Sequence, residues 1–187
     1  NVARLQERGV SRVGPEAGEL ACGWQGLGRM SEPAAIVARA EQLLGPGSLR
    51  GERVVVTAAG TSEPIDAVRS ITNRSSGKMG FALATEAARR GAEVKLITGS
   101  TSLATPQGVV RIDVGTALEM RDAVLAALPA ASIVIKAAAV ADYRPRQREA
   151  GKRKKEDLPA DGSWNLELVE NPDILKEVCE RKGSRIV

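Results

Sequence analysis

The residues best suited to chemistry lie between positions 57 and 80, where Ser75-Ser76-Gly77-Lys78-Met79-Gly80 closes a long polar stretch and leads into a helix-like segment. Free backbone N–H groups, two hydroxyls and the positive end of a helix dipole would meet there, a combination that holds phosphate or carboxylate. The glycines would let the backbone come close to such a guest. A helix cap with no guest is the simpler reading of Ser-Ser-Gly alone; the length and polarity of the whole stretch favour the anion site.

Two standard phosphate motifs do not fit. A P-loop needs Gly where Thr72 stands and Ser or Thr where Met79 stands. A dinucleotide fingerprint needs its glycines directly after the strand, where Ala58-Ala59-Gly60-Thr61 runs into a proline-bearing segment. Histidine is absent, which excludes Ser-His and Cys-His dyads and histidine-ligated metals. Amides, hydroxyls, carboxylates, Lys and Arg must therefore do the work. A second polar loop spans 138–161, and much of the basic excess behind the net charge of +4 falls within it, at 144–155. Cys22 and Cys179 are far apart and lack metal-ligand spacing, which fits a reducing compartment.

These loops need a scaffold. The pattern predicts a strand over 53–57, a helix over 77–90 and a strand over 93–98, then a strand over 109–114, a helix over 116–128 and a strand over 132–137. Continuous apolar strands alternating with amphipathic helices predict a mainly parallel sheet covered on both faces, a Rossmann-like three-layer α/β fold. Ligands of such sheets bind beyond the carboxyl ends of the strands, where the loops 57–80, 98–106 and 138–161 lie. Further on, the sequence predicts an alternating strand over 164–169 and a helix that begins at Pro172 with Asn171 as its cap. Arg185-Ile186-Val187 reads as the opening of another strand, so a continuation is expected.

The first 50 residues are punctuated by Gly and Pro and show no core pattern. A helix over 32–44, with Ser31 as N-cap and Gly45-Pro46-Gly47 as its stop, interrupts what reads as a loop-rich tail or linker. At 187 residues, 43% of them hydrophobic, one main domain is expected. The aromatic content of 2% removes the stacking platforms that single-strand nucleic-acid binders use. No apolar run approaches the roughly 18 residues of a membrane span and the first residues do not resemble a secretory signal, so a soluble cytoplasmic protein is expected.

The motifs also carry a family resemblance. Glu63-Pro64-Ile65-Asp66, Val68-Arg69 and Asn73-Arg74-Ser75-Ser76-Gly77-Lys78-Met79-Gly80 closely resemble the phosphopantothenoylcysteine synthetase family, the second half of bacterial bifunctional coenzyme A biosynthesis proteins. The match continues through Thr116-Ala117-Leu118-Glu119-Met120, Ala137-Ala138-Ala139-Val140-Ala141-Asp142-Tyr143-Arg144-Pro145, Lys152-Arg153-Lys154-Lys155 and Asn171-Pro172-Asp173-Ile174-Leu175. It covers 50–187. Residues 1–49 resemble the tail of the partner decarboxylase, through Gly18-Glu19-Leu20-Ala21-Cys22-Gly23 and Gly28-Arg29-Met30-Ser31-Glu32-Pro33.

The resemblance implies that CTP activates the carboxylate of 4'-phosphopantothenate as an acyl-cytidylate with loss of pyrophosphate, and that cysteine then displaces CMP. Mg2+ would accompany the triphosphate, with no dedicated carboxylate cage in the sequence. A homodimer is implied, with a higher oligomer through the decarboxylase half, to which FMN also belongs. In the same terms, Asn73 holds the activated acyl group, Ser75, Gly77 and Gly80 bind nucleotide phosphates, and Gly60 shapes the turn beside them. Lys152 belongs to a mobile Lys-x-Lys-Lys flap that closes over the site. Ala138, Ala139 and Asp142 touch nucleotide or phosphopantothenate, partly across a dimer interface, and Pro172, Asp173, Ile174 and Leu175 form the turn that reads the base. Cys22 corresponds to the acid of the decarboxylase, active only in the full assembly. Ala59 and Ser62 depart from the family's usual Gly and Arg. Two other readings compete: a non-catalytic nucleotide- or flavin-binding module, and a dimerisation remnant of the bifunctional enzyme. A nicotinamide reader would carry an acid after strand 93–98, where Thr98-Gly99-Ser100 stands.

Overall fold

The computed structural model describes residues 1–20, 23–44, 47–154, 156 and 159–187; Cys22, Gly45, Pro46 and Lys155 lie outside them. Its elements are, in order, α1 (Val2–Glu7), β1 (Glu16–Glu19), β2 (Gln25–Arg29), α2 (Pro33–Leu44), β3 (Arg53–Ala58), β4 (Ser62–Pro64), β5 (Ser70–Thr72) and α3 (Lys78–Arg89). There follow β6 (Glu93–Thr98), β7 (Val109–Asp113), α4 (Ala117–Ala127), β8 (Ile133–Lys136), β9 (Tyr143–Pro145), β10 (Leu168–Glu170) and α5 (Ile174–Glu180).

β7, β6, β3 and β8 lie side by side in that order, every pair parallel. The Val-rich runs suit this because both faces of the sheet are covered. Val54, Val56 and Leu96 pack on one side against Phe81, Ala84 and Ala88 of α3. Val55, Ile97 and Val134 pack on the other against Met120 and Val124 of α4 and Ile174 and Val178 of α5. The three-layer expectation is met. From β3 the chain steps outward to β6 and β7, then returns by α4 to β8 on the far side of β3. That reversal opens a crevice between the carboxyl ends of β3 and β8, the place where parallel sheets receive ligands.

Three local expectations need correction. The stretch 57–80 is not one open loop: β4 and β5 form an antiparallel hairpin within it, pairing Ser62 with Thr72 and Pro64 with Ser70. The strand expected over 164–169 contracts to Leu168–Glu170, because its partner β9 offers only Tyr143–Pro145 for pairing. The last helix begins at Ile174 rather than Pro172, and Asp173 caps it by accepting the Lys176 N–H at 3.0 Å. Asn171 does not do so: its side-chain oxygen accepts from Arg144 Nη1 at 3.0 Å, and its amide nitrogen donates to the Ala141 carbonyl at 2.8 Å.

The first 50 residues hold more order than their composition suggests. β1 and β2 form an antiparallel ribbon, and α2 packs along α3. At the other end, Ile186 pairs in parallel with Ile133 on the outer edge of β8. Among the described residues no helix is long and apolar enough to cross a membrane.

Candidate functional site

The loops after β3 and β8 are stitched together at the crevice. Gly60 and Ala139 form a parallel bridge, and the Ala139 N–H donates to the Ala59 carbonyl at 2.7 Å. Two fully buried threonines complete the seam: Thr57 Oγ1 accepts the Ala137 and Ala138 N–H groups at 3.2 and 3.3 Å, and Thr61 Oγ1 accepts that of Ala141 at 2.9 Å. Gly60 has no room for a side chain, since a Cβ there would lie 2.8 Å from the Asn73 carbonyl oxygen. Gly99 meets it from behind; a Cβ on Gly99 would fall 1.9 Å from the Gly60 oxygen. Next to this contact Ala59 takes φ 61°, a left-handed conformation that costs an L-residue roughly 1–2 kcal/mol.

Asn73 leaves the hairpin at this seam. Its exposed amide nitrogen donates to the Val140 carbonyl at 3.0 Å and, more weakly, towards that of Ala139 at 3.5 Å. A side-chain amide has two N–H protons and a carbonyl oxygen that can accept, so Asn73 is oriented by the β8 loop while keeping capacity for a guest. Asn73, Ala138 and Ala139 are thus brought together from segments 66 residues apart.

Four residues further on, α3 starts from Gly77, which has φ 76°, with no side chain capping the helix. The Ser75 and Ser76 hydroxyls reach the Gly77 and Lys78 N–H groups only at 3.4 and 3.5 Å. Both serines and Lys78 are exposed, while Gly77 and Gly80 are buried. Gly80 is needed for packing as much as for any ligand: a Cβ would come within 2.5 Å of the Ala58 Cβ and 2.9 Å of the Thr57 oxygen. The helix start is therefore pressed against the end of β3, with its first N–H groups available to an anion.

The remaining residues line a neighbouring pocket of about 350 Å³ between the β8 loop and the start of α5, with Lys136, Ala138, Asp142, Glu170, Pro172 and Asp173 in its wall. Asn171 braces it, accepting from Arg144 Nη1 at 3.0 Å while its own N–H donates to the Asp142 carbonyl at 2.7 Å. Ile174 reaches the pocket but is a core residue, 1% exposed, and Leu175 is not part of the lining. With Asp142, Glu170 and Asp173 against one lysine, the pocket suits a group rich in N–H and O–H donors better than a phosphate. Burial lowers the Lys136 pKa, and the charge of Asp173 opposes that shift.

Lys152 is exposed and absent from that lining. Its neighbour Arg153 instead engages the hairpin tip, where the Arg153 N–H points at Asp66 Oδ2 at 3.4 Å. Cys22 lies outside the described residues.

Several residues of the site carried no role in the sequence reading. Glu63, 1% exposed, holds the start of α4 by accepting the Ala117 N–H at 2.9 Å. Asp66, Gly99 and Lys136 are the others. Lys136 had a signal: it continues the inward face of Val134 and so breaks the apolar alternation of its strand. Gly99 had none, because its partner is distant in sequence.

Residues 49–187 match the family described as DNA/pantothenate metabolism flavoprotein C-terminal domain. The coenzyme A biosynthesis bifunctional protein CoaBC of Vibrio cholerae is 49% identical over 185 residues, which is 99% of this chain and 46% of that protein. The protein of the same name from Bacillus subtilis is 45% identical over 191 residues, covering 100% of this chain and 46% of its own length. The chain spans about half the length of these curated relatives. The crystal structure of the C-terminal domain of a CoaBC superposes with a TM-score of 0.64 at 40% identity, over 74% of this chain and 63% of that one.

Proposed function

The chain belongs to the DNA/pantothenate metabolism flavoprotein C-terminal domain family, and from that membership we propose that residues 50–187 form a ligase domain that joins cysteine to 4'-phosphopantothenate at the expense of CTP. The single observation that carries this reading is the convergence of Asn73, the Ala139-Val140 backbone and the uncapped start of α3 on one crevice. The names of the relatives, which are coenzyme A biosynthesis proteins, point the same way.

A carboxylate resists attack by an amine because its charge is delocalised. In the proposed reaction a carboxylate oxygen of phosphopantothenate attacks the α-phosphorus of CTP and pyrophosphate leaves. The cysteine amine then attacks the acyl carbon, CMP leaves with the carbon–oxygen bond electrons, and the nitrogen gives up its proton to solvent. Positioning and charge neutralisation dominate both steps, so the absence of histidine is no obstacle.

In this reading the triphosphate lies at Ser75, Gly77 and Gly80, and cytidine enters the acidic pocket by Asp142, Pro172 and Asp173. Asn73, held by Val140, donates its remaining proton to the acyl oxygen. Lys152 answers the charge of the triphosphate and of the acyl-cytidylate. Magnesium would accompany the triphosphate and offset its charge; no cluster of three or more metal-ligating side chains occurs among the described residues. A cytoplasmic homodimer belongs to the same proposal. FMN and Cys22 belong with the decarboxylase function of the bifunctional proteins, to which residues 1–49 are assigned.

The test is pyrophosphate release from CTP that depends on 4'-phosphopantothenate. Asn73→Ala should lower the rate by about 10²–10³-fold, as loss of one oxyanion donor does, while CTP still binds. An equal rate in a well-folded Asn73→Ala protein, or no phosphopantothenate dependence in the unaltered one, defeats the reading.

A further inference from the structure

Lys152 lies outside the pocket, but the peptide next to it is held firmly. The Arg153 carbonyl accepts from Arg69 Nη2 at 2.8 Å, its N–H faces Asp66 Oδ2 at 3.4 Å, and its Nη1 donates to Glu149 Oε1 at 2.9 Å. A few residues earlier, the Glu149 N–H donates to the Ile65 carbonyl at 3.0 Å. Both guanidinium groups face one indole: Arg69 lies 4.5 Å and Arg153 5.5 Å from the Trp164 ring centre.

Asp66 is the hub of this contact. Its side chain is 0% exposed, and it also accepts the Val68 and Arg69 N–H groups at 2.8 Å each and Arg69 Nε at 2.9 Å. Bonds to an ionised carboxylate are among the stronger ones, so the contacts that Asp66 accepts hold the turn together. The other end of the hairpin is equally fixed, since the Thr72 hydroxyl donates to the Thr61 carbonyl at 2.7 Å and the Ser62 N–H to that of Gly115 at 2.8 Å. The hairpin is thus a short rigid arm with Asn73 at its base and Asp66 and Arg69 at its tip.

We infer that Asp66, acting with Arg69, Arg153 and Trp164, is a positioning residue for Lys152: the hairpin tip latches the Lys152 segment and so sets its distance from Asn73. Arg69 and Asn73 are four residues apart, about 13 Å along an extended strand at roughly 3.3 Å per residue. The docking stands on the contacts alone; the role given to Lys152 rests on the ligase reading.

The experiment compares Asp66→Asn, Trp164→Ala, Trp164→Phe, Lys152→Ala and the Asp66→Asn/Lys152→Ala double variant. Amide hydrogen exchange over 146–154 should quicken by about tenfold in Asp66→Asn and Trp164→Ala, as loss of charge-assisted contacts predicts, and stay near the unaltered rate in Trp164→Phe. In CTP-dependent turnover, Asp66→Asn should raise the KM for CTP more than it lowers kcat. The double variant should be no worse than Lys152→Ala, because a residue that acts through another adds nothing once that one is gone. Unchanged exchange in Asp66→Asn, or losses that simply add in the double variant, overturns the proposal. If the unaltered protein releases no pyrophosphate, the ligase reading fails, and the exchange measurement still decides the latch.

Discussion

α3 and α4 both begin where a strand of the parallel sheet ends, yet α4 closes its first turn with its own side chains and α3 leaves its first turn open. At α4 the Thr116 hydroxyl accepts the Glu119 N–H at 3.2 Å, the Glu119 carboxylate accepts that of Thr116 at 3.2 Å, and buried Glu63 takes that of Ala117 at 2.9 Å. At α3 there is Gly77, no side-chain cap, and two serine hydroxyls at the limit of bonding distance. A helix start whose donors are taken up by side chains offers few to a ligand, whereas an open one next to glycines leaves its donors available to an anion. The hairpin tip sits with α4 in this contrast, since Asp66 satisfies its own turn.

The strongest way to break the comparison is to disturb the seating of α3. Gly80→Ala forces a methyl against Ala58 and Thr57 and should destabilise the fold by about 2 kcal/mol, as overpacking does. Urea denaturation measures this, and a loss under about 0.5 kcal/mol, the range of a neutral surface change, would mean the helix start is free to shift. Next in size is Thr116→Ala, which removes half of the capping box at α4. It should cost about 1 kcal/mol of stability and leave CTP affinity, measured by calorimetry, where it was.

The serines of α3 should show the reverse pattern. Replacing Ser75 and Ser76 together by Ala should change stability by under about 0.5 kcal/mol but weaken CTP binding by about tenfold, the worth of one good bond to a charged group. Equal stability losses at α3 and α4 would erase the distinction between the two helix starts.

The smallest global effect is expected from acid. Burial alone would raise the Asp66 pKa, but the bonds from Val68, Arg69 and Arg153 outweigh it and hold the carboxyl at about 2, below its ordinary 3.8. A depressed carboxyl stabilises the folded form above its ordinary pKa and loses that contribution as pH falls through the folded value. The hairpin latch should therefore hold at pH 4 and above and loosen as pH falls towards about 2. The fluorescence of Trp164 in a Trp24→Phe background should report this titration. Asp66→Asn should abolish it, and a transition that persists in that variant would assign it elsewhere.

Much of the scaffold was legible because its signals are local. The apolar runs at 53–57 and 93–98, the breaker after Arg90 and the polar start of the intervening helix each depend on neighbours along the chain, and all emerge within a residue or so of their expected places. Where a signal needed a distant partner, the reading failed. Residues 164–169 alternate like a strand, yet of them only Leu168 and Val169 pair, with Glu170 beyond them, because β9 supplies three residues. Asn171 looks like a helix cap, yet its side-chain oxygen is spent on Arg144 and its N–H on Ala141 across the loop. The hairpin within 57–80 was hidden because each of its strands has three residues, too few for a period of two to show.

The candidate site divides along the same line. The sequence by itself determined which groups were available: the amide of Asn73, the hydroxyls and glycines before α3, the lysine at 152, and the absence of histidine. It also determined that a parallel sheet would carry them, since the periodicity of burial is written residue by residue. Only the tertiary structure decided that the chain doubles back so that β8 lies beside β3, which brings Ala139 to Gly60 and Val140 to Asn73. Only it decided that Asp66 is buried, that Lys136 faces a pocket, and that Arg153 docks on the hairpin. Strand order and burial are set by the packing of all the elements at once, and no local window of residues contains that sum.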